Sequence, residues 1–430
     1  MTTSAEHVAS WYAASAPSHP AYPKLRGEVS TDVCVIGGGY TGLSTAIHLR
    51  KLGFNVVLLE ARRVGWGASG RNGGHVGTGQ RAEQDSLEKW VGLDHAKELW
   101  RLGLDAVELV GNLVQEFGID CDLAEGNLHL AAKRRHVPGF RDEVEHLSKV
   151  YGYDQLRFLD AKEISWMTQA KGMHGGLLDS GARHLHPLKY ALGLATAAQS
   201  LGAEIYERSY VLSYRDADAS QAEVTTAEGV VRSRFVVLAC NGYLGNLEPR
   251  IAGNIMPINN FILATEPLYA QQQAVVCRDN LSLSDSLFVI NYWKLSADGR
   301  LLFGGGETYS PKFPADIPKF VWPYMLKIYP QLADVRVDYG WGGTLGITMN
   351  RMPDFGRLDK RTFYAQGFSG HGVPTATMAG YLLAAAISGD TEDFSRMASV
   401  PTHRFPGGTL LRRPGQIAAM LFYSLLDRLG

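Results

Sequence analysis

The chain has 430 residues, and 42 lysines and arginines almost balance 43 aspartates and glutamates. A formal net charge of -1 gives no electrostatic reason to expect nucleic acid or an anionic membrane surface as a partner. We therefore expect small-molecule ligands. A chain of this length exceeds what one hydrophobic core usually organises, which predicts two domains.

The cysteines and the two termini indicate in which cellular compartment we expect the protein. Cys34, Cys121, Cys240 and Cys277 lie far apart, with no C-x-x-C pair and no metal-ligand spacing. This pattern predicts a reducing compartment, no metal site and no disulfide reductase. The N-terminus lacks an apolar signal core, and the apolar run at residues 417–426 is too short to span a bilayer. We expect a cytoplasmic protein without an integral membrane segment.

The first domain begins near Thr31, after a polar, proline-bearing stretch at residues 15–26 that is either an ordered arm or a loose lead-in. An apolar strand then meets a glycine turn and a helix. Gly37 suits the tight turn, Gly39 a close approach to a pyrophosphate, and Gly42 the packing of the helix on the strand. The pattern predicts a dinucleotide site; an ordinary βα turn is the alternative.

Two further features support this site. Glu60 ends the next strand, roughly 20 residues after the glycines, where an acid suits a ribose diol. The loop at residues 65–75 follows, with five glycines and the single arginine Arg71. Such a backbone can pack closely on a planar or phosphorylated ligand, although a flexible surface loop is the alternative. Ser69, Asn72 and Gly73 would line the pyrophosphate and ring system with Arg71.

Downstream periodicity predicts the remaining elements. Residues 235–239 form a wholly apolar run, typical of a parallel strand buried on both faces. The other predicted elements, in chain order, are helix 85–117, strand 127–132, helix 188–201, strands 204–206, 210–215, 224–226, 261–265, 287–295, 301–305 and 362–366, and helix 375–387. The strands after residue 258 suggest a mostly antiparallel second domain.

A second strand-to-helix turn at residues 367–372 is also rich in glycine. Its helix dipole and the amides near His371, Gly372 and Val373 would support negative charge on a reduced flavin ring. An ordinary βα turn is again the alternative.

These motifs resemble the D-amino-acid oxidase family of FAD-dependent proteins, and the resemblance covers nearly the whole chain. It rests on Gly37 to Gly42, on Glu60, and on the glycine-rich segments at residues 67–74 and 367–372. Residues 11–16, 31–34, 301–306, 405–408 and 423–429 are similar to the branch that oxidises gamma-glutamylputrescine. The resemblance implies FAD and oxidation of a C–N bond to an imine. In this branch the products would be an aldehyde, ammonia and hydrogen peroxide.

The fold class that follows is α/β, with a Rossmann-like FAD-binding domain of the glutathione-reductase type and a second, mostly antiparallel β-sheet substrate domain of α+β character. We expect a discontinuous FAD-binding domain (residues 1–85, 185–248 and 345–400). Residues 86–184 and 249–344 would form the substrate domain, and residues 401–430 a C-terminal helical extension.

The expected cofactor-binding residues come from these motifs and from the family, in which Val211 would hold the adenine through its backbone. They are Gly37, Gly39, Tyr40, Thr41, Gly42, Glu60, Ala61, Arg62, Gly67, Ala68, Ser69, Arg71, Asn72, Gly73, Gly74, Val211, Ala239, Gly242, Gly370, His371, Gly372 and Val373. Cysteinyl attachment of the flavin is not expected, because no cysteine lies near residues 367–372. His75 is the candidate for attachment; otherwise it flanks the ring or packs.

Hydride transfer from an amine needs placement and exclusion of water more than an obligatory acid or base. We expect groups of the second domain over the ring, each with an ordinary core or surface role as the alternative. The expected catalytic residues are Tyr292, Lys294, His75, Trp341 and Met352, with Trp293 and Thr348 as further candidates. Lys294 would attract superoxide-like charge or a substrate carboxylate. His184 and His186 would help deprotonate an ammonium or act as structural hydrogen-bonding groups.

Three functions stay open from the sequence. The first is oxidation of a gamma-glutamylated polyamine or related amine, with molecular oxygen or another electron acceptor. The second is oxidation or dehydrogenation of D-amino acids, sarcosine or glycine. The third is a flavin-binding protein without turnover.

Overall fold

A computed structural model describes residues 6–218, 220–308 and 312–410. The apolar run at residues 417–426 and most of the predicted C-terminal extension lie outside the described residues. Within them, no helix combines the length and the apolar character that a bilayer crossing requires.

The strands of the described ranges fall into two sheets. In chain order they are β1 (Gly27–Ile36), β2 (Val56–Leu59), β3 (His75–Val76), β4 (Ala124–Leu130), β5 (Leu156–Asp160), β6 (Gly175–His184), β7 (Glu204–Tyr206), β8 (Val211–Asp216), β9 (Ala222–Thr226), β10 (Gly229–Leu238), β11 (Met256–Pro267), β12 (Ser282–Asp285), β13 (Tyr292–Leu295), β14 (Arg300–Glu307), β15 (Val337–Ile347), β16 (Asp354–Arg357) and β17 (Thr362–Gln366).

Helices connect and cover these strands. The α-helices of the described ranges are α1 (Trp11–Ser15), α2 (Tyr40–Lys51), α3 (Gln84–Val91), α4 (Leu93–Glu116), α5 (Val137–Tyr151), α6 (Ala161–Met167), α7 (Pro187–Ser200), α8 (Pro249–Ala252), α9 (Ala270–Val276), α10 (Ile317–Ile328), α11 (Gly372–Ser388) and α12 (Glu392–Ala398).

The first sheet has the order β16-β17-β10-β1-β2-β7, with the β8–β9 hairpin attached to β10. The strands from β17 to β7 pair in parallel, and Val35 of β1 lies between Val237 of β10 and Leu58 of β2. These side chains are buried because α2, α7 and α11 cover one face, while the hairpin packs on the other. The buried parallel strand predicted at residues 235–239 is confirmed as the end of β10.

The second sheet has the order β15-β11-β14-β13-β12-β4-β6-β3, with β5 paired to β6. Its pairs are antiparallel except β4 with β12. Helix α10 covers the β11–β14 face with Val321 and Met325, which are fully buried. The mostly antiparallel second sheet was predicted from the sequence, and the structure confirms it.

Several predicted elements differ in their bounds. The predicted helix 85–117 is two helices, because Gly92 lies between α3 and α4 with φ +83°, which a helix cannot continue. The predicted strand 287–295 is only β13, since the Asp285 carboxylate accepts hydrogen bonds from the preceding loop, including the Asn291 amide at 2.6 Å. Of the stretch at residues 15–26, only Ser15 belongs to a helix: α1 lies just before it, with Trp11 and Tyr12 buried.

The predicted domain boundaries stay a prediction, and two observations bear on them. Strand β3, inside the predicted first segment, pairs with β6 of the second sheet. Helix α4, inside the predicted substrate domain, packs on α11. The contacts of β3 and α4 therefore cross the domain boundary predicted at residue 85.

Candidate active site

A single continuous cavity of about 1500 Å³ lies between the two sheets. This exceeds the roughly 300–1,000 Å³ of common small-molecule sites, so it has room for a large cofactor together with a substrate. One wall combines the β1–α2 turn, residues 68–73 and the turn before α11; strands β11, β12, β13 and β15 form much of the other.

The β1–α2 turn has the geometry that the glycine spacing predicted. Gly37 has φ +116°, and a Cβ there would lie 2.6 Å from the Ala239 carbonyl oxygen. A Cβ on Gly42 would lie 1.9 Å from the Gly37 carbonyl oxygen, so any side chain would push α2 away from β1. Gly39 lines the cavity, and the first amides of α2 have no partners within the helix. The turn can therefore accept phosphate oxygens at close range.

Glu60 lies at the end of β2, beside this turn. Its carboxylate accepts the Gly38 amide at 2.7 Å and the Arg62 amide at 2.8 Å. Burial raises the pKa of Glu60 above its usual range, and these amide hydrogen bonds oppose the shift. The amides fix the carboxylate where the sequence pattern expects a ribose diol.

Arg71 is the buried cation of the glycine-rich loop. Its Nε donates to the Trp66 carbonyl at 2.7 Å and its Nη1 to the Gly342 carbonyl at 3.1 Å, while its guanidinium stacks 4.0 Å from the centre of the Trp66 ring. No described residue accepts a hydrogen bond from its buried Nη2. Burial lowers the pKa of Arg71. The loop therefore presents a fixed guanidinium whose Nη2 is available to a ligand.

Other predicted loop residues hold the loop's shape. The Asn72 amide nitrogen donates to the Ala68 and Ser69 carbonyls, and its Oδ1 accepts the Gly74 amide at 2.7 Å. The Ser69 hydroxyl accepts the Tyr40 amide at 3.1 Å, which links the loop to the start of α2. The Tyr40 side chain instead points into the core.

The turn before α11 completes this wall. Gly370, His371, Gly372 and Val373 all line the cavity, and the first amides of α11 point outward from its N-terminus. Burial lowers the pKa of His371 to about 4, so its imidazole is neutral near pH 7. Its buried Nε2 has no hydrogen-bond partner among the described residues.

These observations fit FAD. Two buried polar atoms, Nη2 of Arg71 and Nε2 of His371, lack partners beside a cavity that also offers helix N-termini and a tight glycine turn. Buried polar groups are normally hydrogen-bonded, so both atoms indicate a polar ligand. The β1–α2 turn would hold the pyrophosphate and the α11 N-terminus the electron-accepting ring edge.

The structure brings thirteen predicted cofactor residues to the cavity wall. They are Gly39, Tyr40, Thr41, Ala68, Ser69, Arg71, Asn72, Gly73, Ala239, Gly370, His371, Gly372 and Val373. The others, which do not line it, are Gly37, Gly42, Glu60, Ala61, Arg62, Gly67, Gly74, Val211 and Gly242. Several of these shape the backbone instead: Gly74, with φ +75°, lies so close to Leu185 that a Cβ would be 2.0 Å from its carbonyl oxygen.

Tyr292 and His75 also line the cavity. Their rings meet edge to face with 5.7 Å between centroids, and a Cβ on Gly73 would lie 2.7 Å from the Tyr292 ring. The Tyr292 hydroxyl donates to Asn260. His75 Nε2 donates to the Leu283 carbonyl at 3.1 Å, and burial lowers the pKa of this histidine to about 4.

Lys294 does not reach this cavity, which corrects the expectation that it lies over the ring. Its buried ammonium donates to the Leu185 carbonyl and lines a separate cavity of about 270 Å³ beside Asp122 and Trp11. Burial lowers the pKa of Lys294 to about 8. The strand places Lys294 two residues beyond Tyr292, where the β6–α7 junction covers it.

Trp341, Thr348 and Met352 are also absent from the cavity wall, and Trp293 is buried in the core of the second sheet. The Trp341 indole donates to the Arg71 carbonyl at 3.0 Å, so it supports the loop from behind. The Thr348 hydroxyl donates to the Met352 carbonyl at 2.6 Å, and both side chains are buried. All four candidates are therefore packing or positioning groups. Trp341 and Trp293 lie on inward faces of β15 and β13, whereas Thr348 and Met352 are buried in the connection between β15 and β16.

His184 and His186 line the smaller cavity with Lys294. His184 Nε2 donates to the Asn280 carbonyl at 2.6 Å, and His186 Nδ1 accepts the Lys189 amide at 3.1 Å. Burial lowers the pKa of each to about 3. They have the structural hydrogen-bonding role that was the alternative in the sequence analysis.

Several polar groups that line the main cavity were not predicted from the sequence. His129 of β4 faces Ser284 of β12 with 2.8 Å between Nδ1 and Oγ, and Arg81 and Arg351 lie on the wall. The arginine in the glycine-containing segment after residue 75 was a signal that could have pointed to Arg81. The contribution of Arg351 depends on tertiary packing, which no local pattern shows.

Asp85, Glu88 and His146 bring one possible ligand atom each within 4.8 Å of one another. His146 Nε2 lies 2.7 Å from Glu88 Oε1, and the Tyr151 hydroxyl donates to the same oxygen. Hydrogen bonding thus accounts for this grouping.

The family model and the most similar relatives that we report all describe oxidoreductases. A family model described as "FAD dependent oxidoreductase" (DAO) matches residues 32–386. The chain is 40% identical to gamma-glutamylputrescine oxidoreductase of Escherichia coli K12, with 99% of each chain covered. It is 38% identical to a probable oxidoreductase, OrdL, of Rhizobium meliloti, with 97% of each covered.

Solved structures show the same fold. Glycine oxidase from Geobacillus kaustophilus superposes with a TM-score of 0.75 at 21% identity, covering 87% of this chain and 99% of that one. The predicted α/β fold class with a second sheet domain is thereby confirmed. The family model and the relatives match nearly the whole chain, and the cavity has room for the cofactor. The chain therefore belongs to the DAO family of FAD-dependent oxidoreductases.

Proposed function

We propose that this enzyme oxidises the C–N bond of gamma-glutamylputrescine or a closely related amine. The observation that carries the proposal is 40% identity to gamma-glutamylputrescine oxidoreductase with 99% of both chains covered. The amine would become an imine, which water converts to an aldehyde and ammonia. Molecular oxygen would accept the two electrons and two protons as hydrogen peroxide.

When bound, FAD supplies the acceptor for the hydride of the amine carbon. The protein's own residues place the amine relative to the cofactor. Tyr292 and His75 both line the cavity, and both are fixed by hydrogen bonds to the second sheet. Because His75 and His371 remain neutral near pH 7, neither adds a positive charge that would repel a substrate ammonium.

The amine must lose a proton before its carbon can release a hydride. His129 lines the cavity, and burial lowers its pKa to about 4. A base that weak does not hold the proton, so we expect solvent at the cavity mouth to take it as the neutral amine enters. This agrees with a mechanism in which no side chain is an obligatory base.

A second candidate function is oxidation of glycine, sarcosine or a D-amino acid. It is supported by a 26% identical glycine oxidase of Bacillus licheniformis and a 26% identical sarcosine oxidase subunit beta of Rhizobium meliloti. The lower identity makes these substrates second choices. Family membership argues against a flavin protein without turnover.

The products test the proposal. In air, the FAD-loaded enzyme should convert gamma-glutamylputrescine to aldehyde, ammonia and hydrogen peroxide in equal amounts. Aldehyde and ammonia without peroxide would assign a different electron acceptor. Turnover only of glycine, sarcosine or D-amino acids would contradict the amine assignment.

A cytoplasmic location remains our prediction. All four cysteines are free, as expected of a reducing compartment. Localisation of a tagged full-length chain by fractionation would test it.

A further inference from the structure

Gln80 and Trp100 line the main cavity, and each has a buried polar atom without a partner among the described residues. These atoms are the side-chain oxygen Oε1 of Gln80 and the indole Nε1 of Trp100. Buried polar atoms are normally hydrogen-bonded, so each indicates a polar ligand. Among the described residues, the other two cavity-lining side chains with such an atom are Arg71 and His371, which fit the cofactor.

The side chains of Gln80 and Trp100 are neighbours. The Nε2 of Gln80 donates to the Leu99 carbonyl of α4 at 2.7 Å, and Trp100 is the next residue of that helix. A Cβ on Gly79 would lie 2.5 Å from the Trp100 ring. Because the Leu99 carbonyl can only accept, it fixes the orientation of the glutamine amide. The acceptor Oε1 is therefore the free atom, beside an indole that can only donate.

The polar groups around Trp100 already have partners. Its ring packs against Tyr151 and Tyr153, with 5.7 and 5.2 Å between ring centroids. The Tyr151 hydroxyl donates to Glu88 at 2.6 Å, and the Tyr153 hydroxyl donates to Asp179 of β6. One unpartnered donor and one unpartnered acceptor are thus left together beside α4.

A donor beside an acceptor matches an amide. A secondary amide offers a carbonyl oxygen to the indole N–H and an N–H group to the glutamine oxygen. A carboxylate would repel Oε1, and an ammonium has no acceptor for the indole, so neither satisfies both atoms. This part of the wall therefore suits the interior of an amide-containing amine better than its charged ends.

The position of the pair also suits the middle of such a molecule. A Cβ on Gly77 would lie 2.9 Å from the His371 ring at the α11 turn, and Gly79 makes the corresponding contact with Trp100. Two residues of chain span at most about 7 Å. In gamma-glutamylputrescine three further carbons join the oxidisable carbon to the amide nitrogen, roughly 5 Å when extended. The contacts at the α11 turn and at Trp100 are thus spaced on the scale of this linker.

We propose that Gln80 and Trp100 bind the interior amide of a gamma-glutamyl amine, with the indole donating to the amide carbonyl and the glutamine oxygen accepting the amide N–H. This deepens the proposed function and rests on it only for the choice of a gamma-glutamyl amine. The site distinguishes gamma-glutamylputrescine from free putrescine and from glycine, because neither of these contains an amide.

Binding of two analogues that lack the terminal amine tests the amide site. The FAD-loaded enzyme is titrated calorimetrically with the gamma-butylamide of glutamate and with the gamma-butyl ester, in which oxygen replaces the amide N–H. The unmodified enzyme should bind the amide roughly 10-fold more tightly, because the ester leaves the glutamine oxygen unpaired. Gln80→Met should remove this preference. Trp100→Phe, which keeps an aromatic ring, should weaken the binding of both compounds and keep the preference.

Gln273→Met is the matched control. Gln273 is also half-buried, and its Nε2 donates to a backbone carbonyl, that of Leu268, at 2.7 Å. It lies outside the described lining of the main cavity, so both affinities should match those of the unmodified enzyme.

Equal affinity for amide and ester in the unmodified enzyme would overturn the proposal, since that is the result expected if water satisfies both atoms. A preference that persists in Gln80→Met, or that Gln273→Met also removes, would overturn it as well.

The two proposals fail separately. If the amide is preferred and Gln80→Met removes the preference, the amide site holds even when gamma-glutamylputrescine is not oxidised. If gamma-glutamylputrescine is oxidised while amide and ester bind equally, the proposed function holds and the amide site is wrong. Should Gln80→Met not fold, the amide–ester comparison in the unmodified enzyme and in Trp100→Phe decides the question: unchanged affinities in Trp100→Phe contradict the amide site.

Discussion

Arg71 shows at the scale of one residue how the loop is prepared for a ligand. The protein uses its Nε, its Nη1 and the face of its guanidinium, which stacks on Trp66, and its main-chain carbonyl accepts a hydrogen bond from the Trp341 indole. Only Nη2 is left for a ligand among the described contacts. The side chain is thus held in one place before the cofactor arrives, which reduces the entropy lost on binding.

Arg71→Met should weaken FAD binding by roughly 10- to 100-fold, because it removes a charge-assisted hydrogen bond. The measurement is the dissociation constant from fluorescence titration of the FAD-free protein. Trp341→Phe, which removes only the support behind the loop, should have a smaller effect. Equal losses of FAD affinity in both variants would mean that FAD binding depends on the position of the loop and not on the Arg71 guanidinium.

The lowered pKa of Lys294 predicts how the stability of the protein depends on pH. Burial lowers its pKa from 10.5 to about 8, so the folded protein releases this proton at a lower pH than the unfolded chain does. Between about pH 8 and 10.5 the unfolded chain binds more protons, and Lys294 therefore makes stability rise with pH. Below pH 8 the full penalty of the buried charge is present.

The free energy of unfolding of the unmodified protein, relative to Lys294→Met, should therefore increase by about 2 kcal/mol from pH 8 to pH 10. Denaturant unfolding of both proteins at each pH measures it. Subtracting the variant removes the contributions of other titrating groups. A relative stability that stays constant or falls would show that Lys294 is not a buried ammonium with a lowered pKa.

At the scale of elements, the β1–α2 unit depends on the absence of a side chain at Gly42. A Cβ there would overlap the Gly37 carbonyl at 1.9 Å, whereas a Cβ on Gly139 of α5 would meet nothing within 4 Å. The two helical glycines are therefore a matched pair for the same substitution.

Gly42→Ala should destabilise the protein by about 3 kcal/mol and reduce FAD retention, because overpacking must displace α2 from β1. Gly139→Ala should leave stability unchanged or raise it by about 0.5–1 kcal/mol, since alanine favours a helix over glycine. Thermal unfolding and the flavin content of the purified variants measure both effects. A stable, flavin-loaded Gly42→Ala variant would contradict the close packing.

The elements best predicted from the sequence were those with a local cause. The glycine turn, the α11 turn and the strand at residues 235–239 each carry their geometry in consecutive residues. Side-chain orientation along β13 and β15 was predicted less well, because it depends on which neighbouring element covers each face. Lys294 was therefore expected in the main cavity and lies beside the smaller one.

At the scale of the molecule, the function depends on two sheets meeting across one cavity. The first sheet supplies the glycine turns, and the second supplies Tyr292 and much of the opposite wall. Arg81 follows β3 and Arg351 follows β15, and only the assembled fold brings them to one cavity. Family resemblance predicted the cofactor, whereas the polar lining of the substrate region required the structure.

Anaerobic addition of gamma-glutamylputrescine to the FAD-loaded enzyme tests the central claim most directly. Because a two-electron oxidation of the amine must reduce the flavin, its visible absorbance should bleach, and admitting air should restore it with formation of hydrogen peroxide. A flavin that stays oxidised with this amine, but is bleached by glycine, sarcosine or a D-amino acid, would contradict the proposed function.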